Sequence, residues 1–80
     1  MAKIAKQEML DLWTIYRNPD DYPGKYVARK FSVGWGKAEA SVTEMFVEDT
    51  LAEVRALIPP GMFCLKRDPR DEPHIVETWI

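Results

Sequence analysis

One stretch, Asp49-Thr50-Leu51-Ala52-Glu53-Val54-Arg55-Ala56-Leu57-Ile58-Pro59-Pro60-Gly61, writes both ends of a helix into the chain. Thr50 and Glu53 stand at capping-box spacing, so the threonine hydroxyl can accept from the third amide while the carboxylate reaches back to the cap amide. Asp49 adds negative charge beside the helix N-terminus. At 100° per residue, Leu51, Val54, Leu57 and Ile58 fall within an arc of roughly 120°, a single apolar stripe. Pro59-Pro60-Gly61 ends the helix, because proline has no amide hydrogen and restricts the residue before it. A one-striped helix must bury that stripe, and strand-like segments flank it on both sides. The expected partner is a sheet.

The strand-like segments are rich in β-branched and aromatic residues. Leu12 to Arg17 is the first, with Trp13 and Ile15 on one face and Thr14 and Tyr16 on the other. A turn-rich loop, Asn18 to Gly24, leads to a second strand from Tyr26 to Trp35. There Val27, Phe31, Val33 and Trp35 share a face with Arg29, a local misfit, while Ala28, Lys30 and Ser32 look outward. Gly34 and Gly36 bracket Trp35 and mark a bend. Val42 to Glu48 is a third strand, with Thr43, Met45 and Val47 opposite Val42, Glu44, Phe46 and Glu48. Beyond the helix come Met62 to Arg67 and His74 to Ile80, joined by the charged loop 68–73. In the last strand, alternation groups Ile75 with Trp79 and Val76 with Ile80.

The predicted order is β-β-β-α-β-β, a small α+β fold with a mostly antiparallel sheet of about five strands and one helix on one face. Residues 1–11, rich in helix formers, read as a short N-terminal helix or an arm. Residues 12–80 form a single domain. Met9 is a second candidate start. One helix covers only one face of such a sheet. The other would carry Tyr16, Phe46 and Val76, and needs the N-terminal segment or a partner to cover it.

Composition narrows the function classes. Eighty residues with 46% hydrophobic and 30% charged residues make one ordinary globular domain with a thin core. A net charge of −2 gives no global attraction to nucleic acid or anionic membrane. A lone cysteine, Cys64, excludes an internal disulfide framework and fits a reducing cytoplasm. No apolar run reaches the 18 or so residues of a membrane span.

No constellation for chemistry assembles. With one His and one Cys in the chain, a zinc site has no ligand set. No calcium loop is present either, so no metal or cofactor is expected. A hairpin closed by loop 68–73 sets His74 against Arg67 and leaves Cys64 about 10 Å from the imidazole, too far for a nucleophile–base pair. Gly34-Trp35-Gly36 opens no helix and lacks the third glycine of a nucleotide fingerprint. The chain is not expected to be an enzyme.

Two charged groups remain as candidate binding surfaces. Asp20 and Asp21 beside Tyr22, with Asp68, Asp71 and Glu72 in the last loop, form proline-stiffened acidic loops around an aromatic anchor. Such loops suit a basic protein surface, including one that normally grips a phosphate backbone. Alternatively, Lys25, Arg29 and Lys30 with Trp35 place basic and aromatic residues on one strand, the composition of a nucleic-acid platform. A homodimer that buries the open sheet face is the third reading.

The stretches LWTIYRNPDDYPGKYVARKF, DTLAEVRALIPPGM and DEPHIVETWI resemble small proteins of proteobacterial phages and mobile elements, of which anti-CRISPR proteins are the best-known class. The likeness covers most of the chain and carries no family site residues. It implies a cytoplasmic, non-enzymatic inhibitor, monomer or homodimer. Such a protein binds a host CRISPR effector and blocks its access to target DNA.

Overall fold

The computed structural model describes residues 10–33 and 40–80. Its elements are β1 (Leu10–Arg17), β2 (Tyr26–Val33), β3 (Ala40–Glu48), α1 (Leu51–Arg55), β4 (Cys64–Lys66) and β5 (Ile75–Trp79). The five strands form one antiparallel sheet in the order β3-β2-β1-β5-β4. This is the expected α+β fold. β3 and β4 are the two edges, and the segment containing α1 carries the chain from one to the other. Residues 1–9, and the bend expected at Gly34-Trp35-Gly36, lie outside the described residues. Leu10 and Asp11, expected in a helix or arm, instead extend β1 and pair with Val33 and Ser32.

The capping box forms as its spacing dictates. Glu53 donates its amide to Thr50 Oγ1 at 3.1 Å, and the Thr50 amide donates to Glu53 Oε1 at 3.1 Å. The helix is shorter than the apolar stripe suggested. After Arg55 the amides of Leu57 and Ile58 donate to carbonyls three residues back, at 3.1 Å each, a tightening that precedes Pro59. Val54 and Ile58 are buried and Leu51 half-buried, but Leu57 is exposed because the tighter turn rotates it off the stripe.

The helix covers the sheet face carrying Trp13, Ile15 and Ala28. Ala28 is therefore buried rather than outward, its small side chain letting α1 approach β2 closely. Phe46 also belongs to this covered face, not to the open one. It pairs with Ala28 across β2 and β3 and stacks on Trp13, with ring centroids 5.2 Å apart.

Two irregularities in register reassign further side chains. Between Lys30 and Phe31 the pairing slips, so Val42 stands opposite Phe31 and joins the face of Met45 and Val47. Between Ile15 and Tyr16 a second slip sets Ile75 opposite Tyr16 and leaves Val76 as the extra residue, packed against the core. Ile75 and Trp79 are thereby separated. In the last hairpin Cys64 pairs with Trp79 and Lys66 with Glu77, so Arg67 does not face His74 and Cys64 is farther along the sheet from it than expected.

Candidate functional site: an open sheet face and its charged end

The uncovered face follows from these registers. Val42 pairs with Phe31, and Phe31 with Leu12. Ile80 follows Trp79, which pairs with Trp13, and so comes into line with Leu12. Phe63 and Ile80 exchange both backbone hydrogen bonds, at 2.7 and 2.9 Å. The result is an apolar row, Val42-Phe31-Leu12-Ile80-Phe63, running from one sheet edge to the other. Met45 and Leu65 flank it in the next row, and Leu10 lies beyond it. Six of the seven large exposed hydrophobics among the described residues are on this face, with Phe63 75% exposed; only Leu57 lies elsewhere. Scattered apolar residues are ordinary on a surface, but concentration on one sheet face marks a docking surface.

Arg29 sits within this face without disrupting it. Its guanidinium stacks 4.6 Å from the centre of the Tyr16 ring and donates to Asp21 Oδ2 at 2.5 Å. The flat cation thus presents carbon-rich surface while its charge is neutralised.

Both acidic loops lie at the same end of the sheet, because β1 and β5 are neighbours. His74 joins them. Arg17 donates its amide to the His74 carbonyl at 2.7 Å, and His74 Nδ1 lies 3.2 Å from the Arg17 carbonyl. A carbonyl only accepts, so Nδ1 carries the proton. His74 Nε2 then faces Asp20 and Glu72, each at 3.9 Å.

Most of these carboxylates are already engaged locally. Asp21 holds Arg29. Asp68 accepts from the Arg70 amide at 2.8 Å and from its guanidinium at 3.0 Å, and Arg70 holds the Asp68 carboxyl below its usual range. Asp71 accepts from the Asp68 amide at 3.0 Å, and Glu72 from the His74 amide at 3.3 Å. Asp20 points into solvent and Tyr22 is half-buried. The loop carrying them is closed by Asn18, whose left-handed backbone lets its side chain accept from the Gly24 amide at 2.7 Å. These acids shape a stiff rim more than they form a field of free charge.

The basic set is divided. Arg29 is on the open face and Lys30 on the helix side, 3.8 Å from Asp11. Lys25 pairs with Asp49 in front of α1. Trp35 lies outside the described residues. No continuous basic aromatic strip forms from the described members.

Glu77 went unsuspected in the sequence. It is 5% exposed, lies on the helix side, and accepts from Arg55 through Nε at 2.9 Å and Nη2 at 2.7 Å. Trp79 Nε1 donates to the same carboxylate at 2.8 Å. The cluster clamps α1 to β5. Partial burial and the neighbouring Glu77 carboxylate push the Cys64 thiol up, away from the thiolate that nucleophilic chemistry needs.

Among the described residues, no group of three or more His, Cys, Asp or Glu is placed to hold a metal ion. Among them, too, no helix is long and apolar enough to cross a membrane. Comparisons with protein-family models, curated proteins and solved structures find no match to this chain.

Proposed function

We propose that this protein is a non-enzymatic protein-binding inhibitor that docks through its open sheet face. The observation that carries this reading is the edge-to-edge apolar row with Phe63, Leu65 and Met45 exposed around it. Asp20, Glu72 and the half-buried Tyr22 lie at one end of the sheet as a polar rim suited to a partner with basic residues beside an apolar patch. The resemblance in the β1–β2, helix and C-terminal stretches makes phage counter-defence the most specific form of this reading. The partner is then a CRISPR effector subunit in the host cytoplasm, bound where target DNA would enter.

The test is parallel capture from nuclease-treated host lysate with the wild-type chain and with the double variant Met45→Ser/Phe63→Ser. Both positions are exposed, so an unchanged circular dichroism spectrum and melting curve will show that the fold is kept. The proposal predicts a discrete protein partner that survives nuclease, is lost with the double variant, and fails to bind its target DNA when the wild-type chain is present. Equal capture by both chains overturns the docking face, and recovery of nucleic acid alone overturns protein binding.

A further inference from the structure

A cleft of about 420 Å³ opens on the helix side of the sheet's charged end, away from the proposed docking face. Its polar lining comes from Arg17, Arg67, His74 and Tyr26. Leu51 and Val76 supply an apolar wall. Arg17 and Tyr26 are paired residues of β1 and β2, and His74, in the turn before β5, is tied to Arg17 through the backbone. Arg67 enters from the turn after β4, where its guanidinium donates to the Asp71 carbonyl at 3.1 Å.

The state of the two arginines singles this cleft out. The chain's other three arginines each hold a carboxylate: Arg29 with Asp21, Arg55 with Glu77 and Arg70 with Asp68. Among the described residues, Arg17 and Arg67 form no ion pair, and both line the cleft. An arginine without a carboxylate is ordinary in open solvent. Two facing one cavity, one already held in place by a backbone carbonyl, make a preorganised fork for a planar or tetrahedral oxyanion. Asp20 and Glu72 lie on the Nε2 side of His74, so the guanidinium groups and the Tyr26 hydroxyl provide the attraction rather than the imidazole.

We infer that this cleft binds a small molecule bearing an oxyanion on an apolar body, with Arg17 and Arg67 holding the oxyanion and Leu51 and Val76 packing the body. The volume matches that of small-ligand pockets, and its mix of apolar wall with few polar groups is their usual make-up. A carboxylate and a phosphate monoester share this chemistry, and the two are separable by titration.

His74 is the chain's only histidine, which makes its ring resonances an assigned reporter inside the cleft. The experiment titrates the labelled protein with phenyl phosphate, with benzoate and with inorganic phosphate, following the His74 ring signals by NMR. The inference predicts a saturable shift with phenyl phosphate or benzoate, the tighter of the two naming the oxyanion, and weaker binding of inorganic phosphate because it lacks the apolar body. Arg17→Gln and Arg67→Gln should each weaken binding by about tenfold or more, while Arg29→Gln on the opposite face leaves it unchanged. Arg67 is exposed, so its variant keeps the fold and carries the test even if Arg17→Gln does not. Non-saturable shifts with all three probes, or binding that survives Arg67→Gln, overturn the inference. The result is independent of whether the open face binds a protein.

Discussion

Arg55 and Glu77 are separated by 22 positions in the chain, yet among the described residues they form the best-shielded ion pair. The pair is bidentate, and its carboxylate also receives the Trp79 indole, so few of its hydrogen-bonding sites are left unsatisfied. The Arg55 hydrogen bonds hold the Glu77 carboxyl below its usual value of 4.5, against the opposing effect of burial. A group with a depressed folded-state pKa contributes stability that is present above its unfolded value and lost as pH falls through the folded value. Glu77 therefore stabilises the fold at neutral pH, and its contribution fades below 4.5. Glu77→Gln should cost about 2 kcal/mol in urea unfolding at pH 7, with the difference from wild type shrinking at acid pH. A constant difference across that range would mean that packing rather than charge dominates. Nothing local in the sequence announces this residue. Glu77 lies in a strand that reads as alternating, and its partner is visible only once the helix has a position over β5.

At the scale of elements, the helix was legible because its signals are local. Thr50, Glu53 and Pro59 act within a few residues of themselves, and the structure places all three as their chemistry requires. Thr50→Ala removes the hydroxyl that accepts from the Glu53 amide and leaves only the bond from the residue-50 amide to the Glu53 carboxylate, and thermal or urea unfolding should show a loss of about 1 kcal/mol. Glu53→Gln, which keeps the reciprocal hydrogen bond, should lose less. The strands were legible as strands but not as faces. Alternation assigns Val42, Ile75 and Val76 wrongly because a register slip leaves no residue-level mark, and one extra residue reverses every side chain beyond it. Ala28 and Phe46 were misplaced for a related reason. An alanine gives little sign of which side is buried, and the face that holds it was settled by where the helix docks.

For the whole molecule, strand order decides the surfaces. The acidic loops were each readable from composition, but their meeting at His74 depends on β1 lying beside β5. The sequence also indicated that one helix leaves a sheet face uncovered, and only the registers show which residues occupy it. On that face Phe63, Leu65, Met45 and Val42 bring apolar surface to both sheet edges, β4 and β3. Edge strands with exposed apolar residues favour association, and here the apolar row reaches both edges, while Val27 and Thr14 toward the charged end of the same face are buried. The helix side differs in kind: its core is closed, its ion pairs are satisfied, and it carries the cleft of Arg17 and Arg67.

The central claim is that a protein partner covers the open sheet face. Hydroxyl-radical footprinting of the chain, free and in the complex recovered from host lysate, tests it most directly, because it reads side-chain exposure at each position. The account predicts that Met45, Phe63 and Leu65 are labelled in the free chain and protected in the complex, while exposed Leu57 on the helix side stays labelled in both. Protection of Leu57 with continued labelling of Met45 and Phe63 would contradict it.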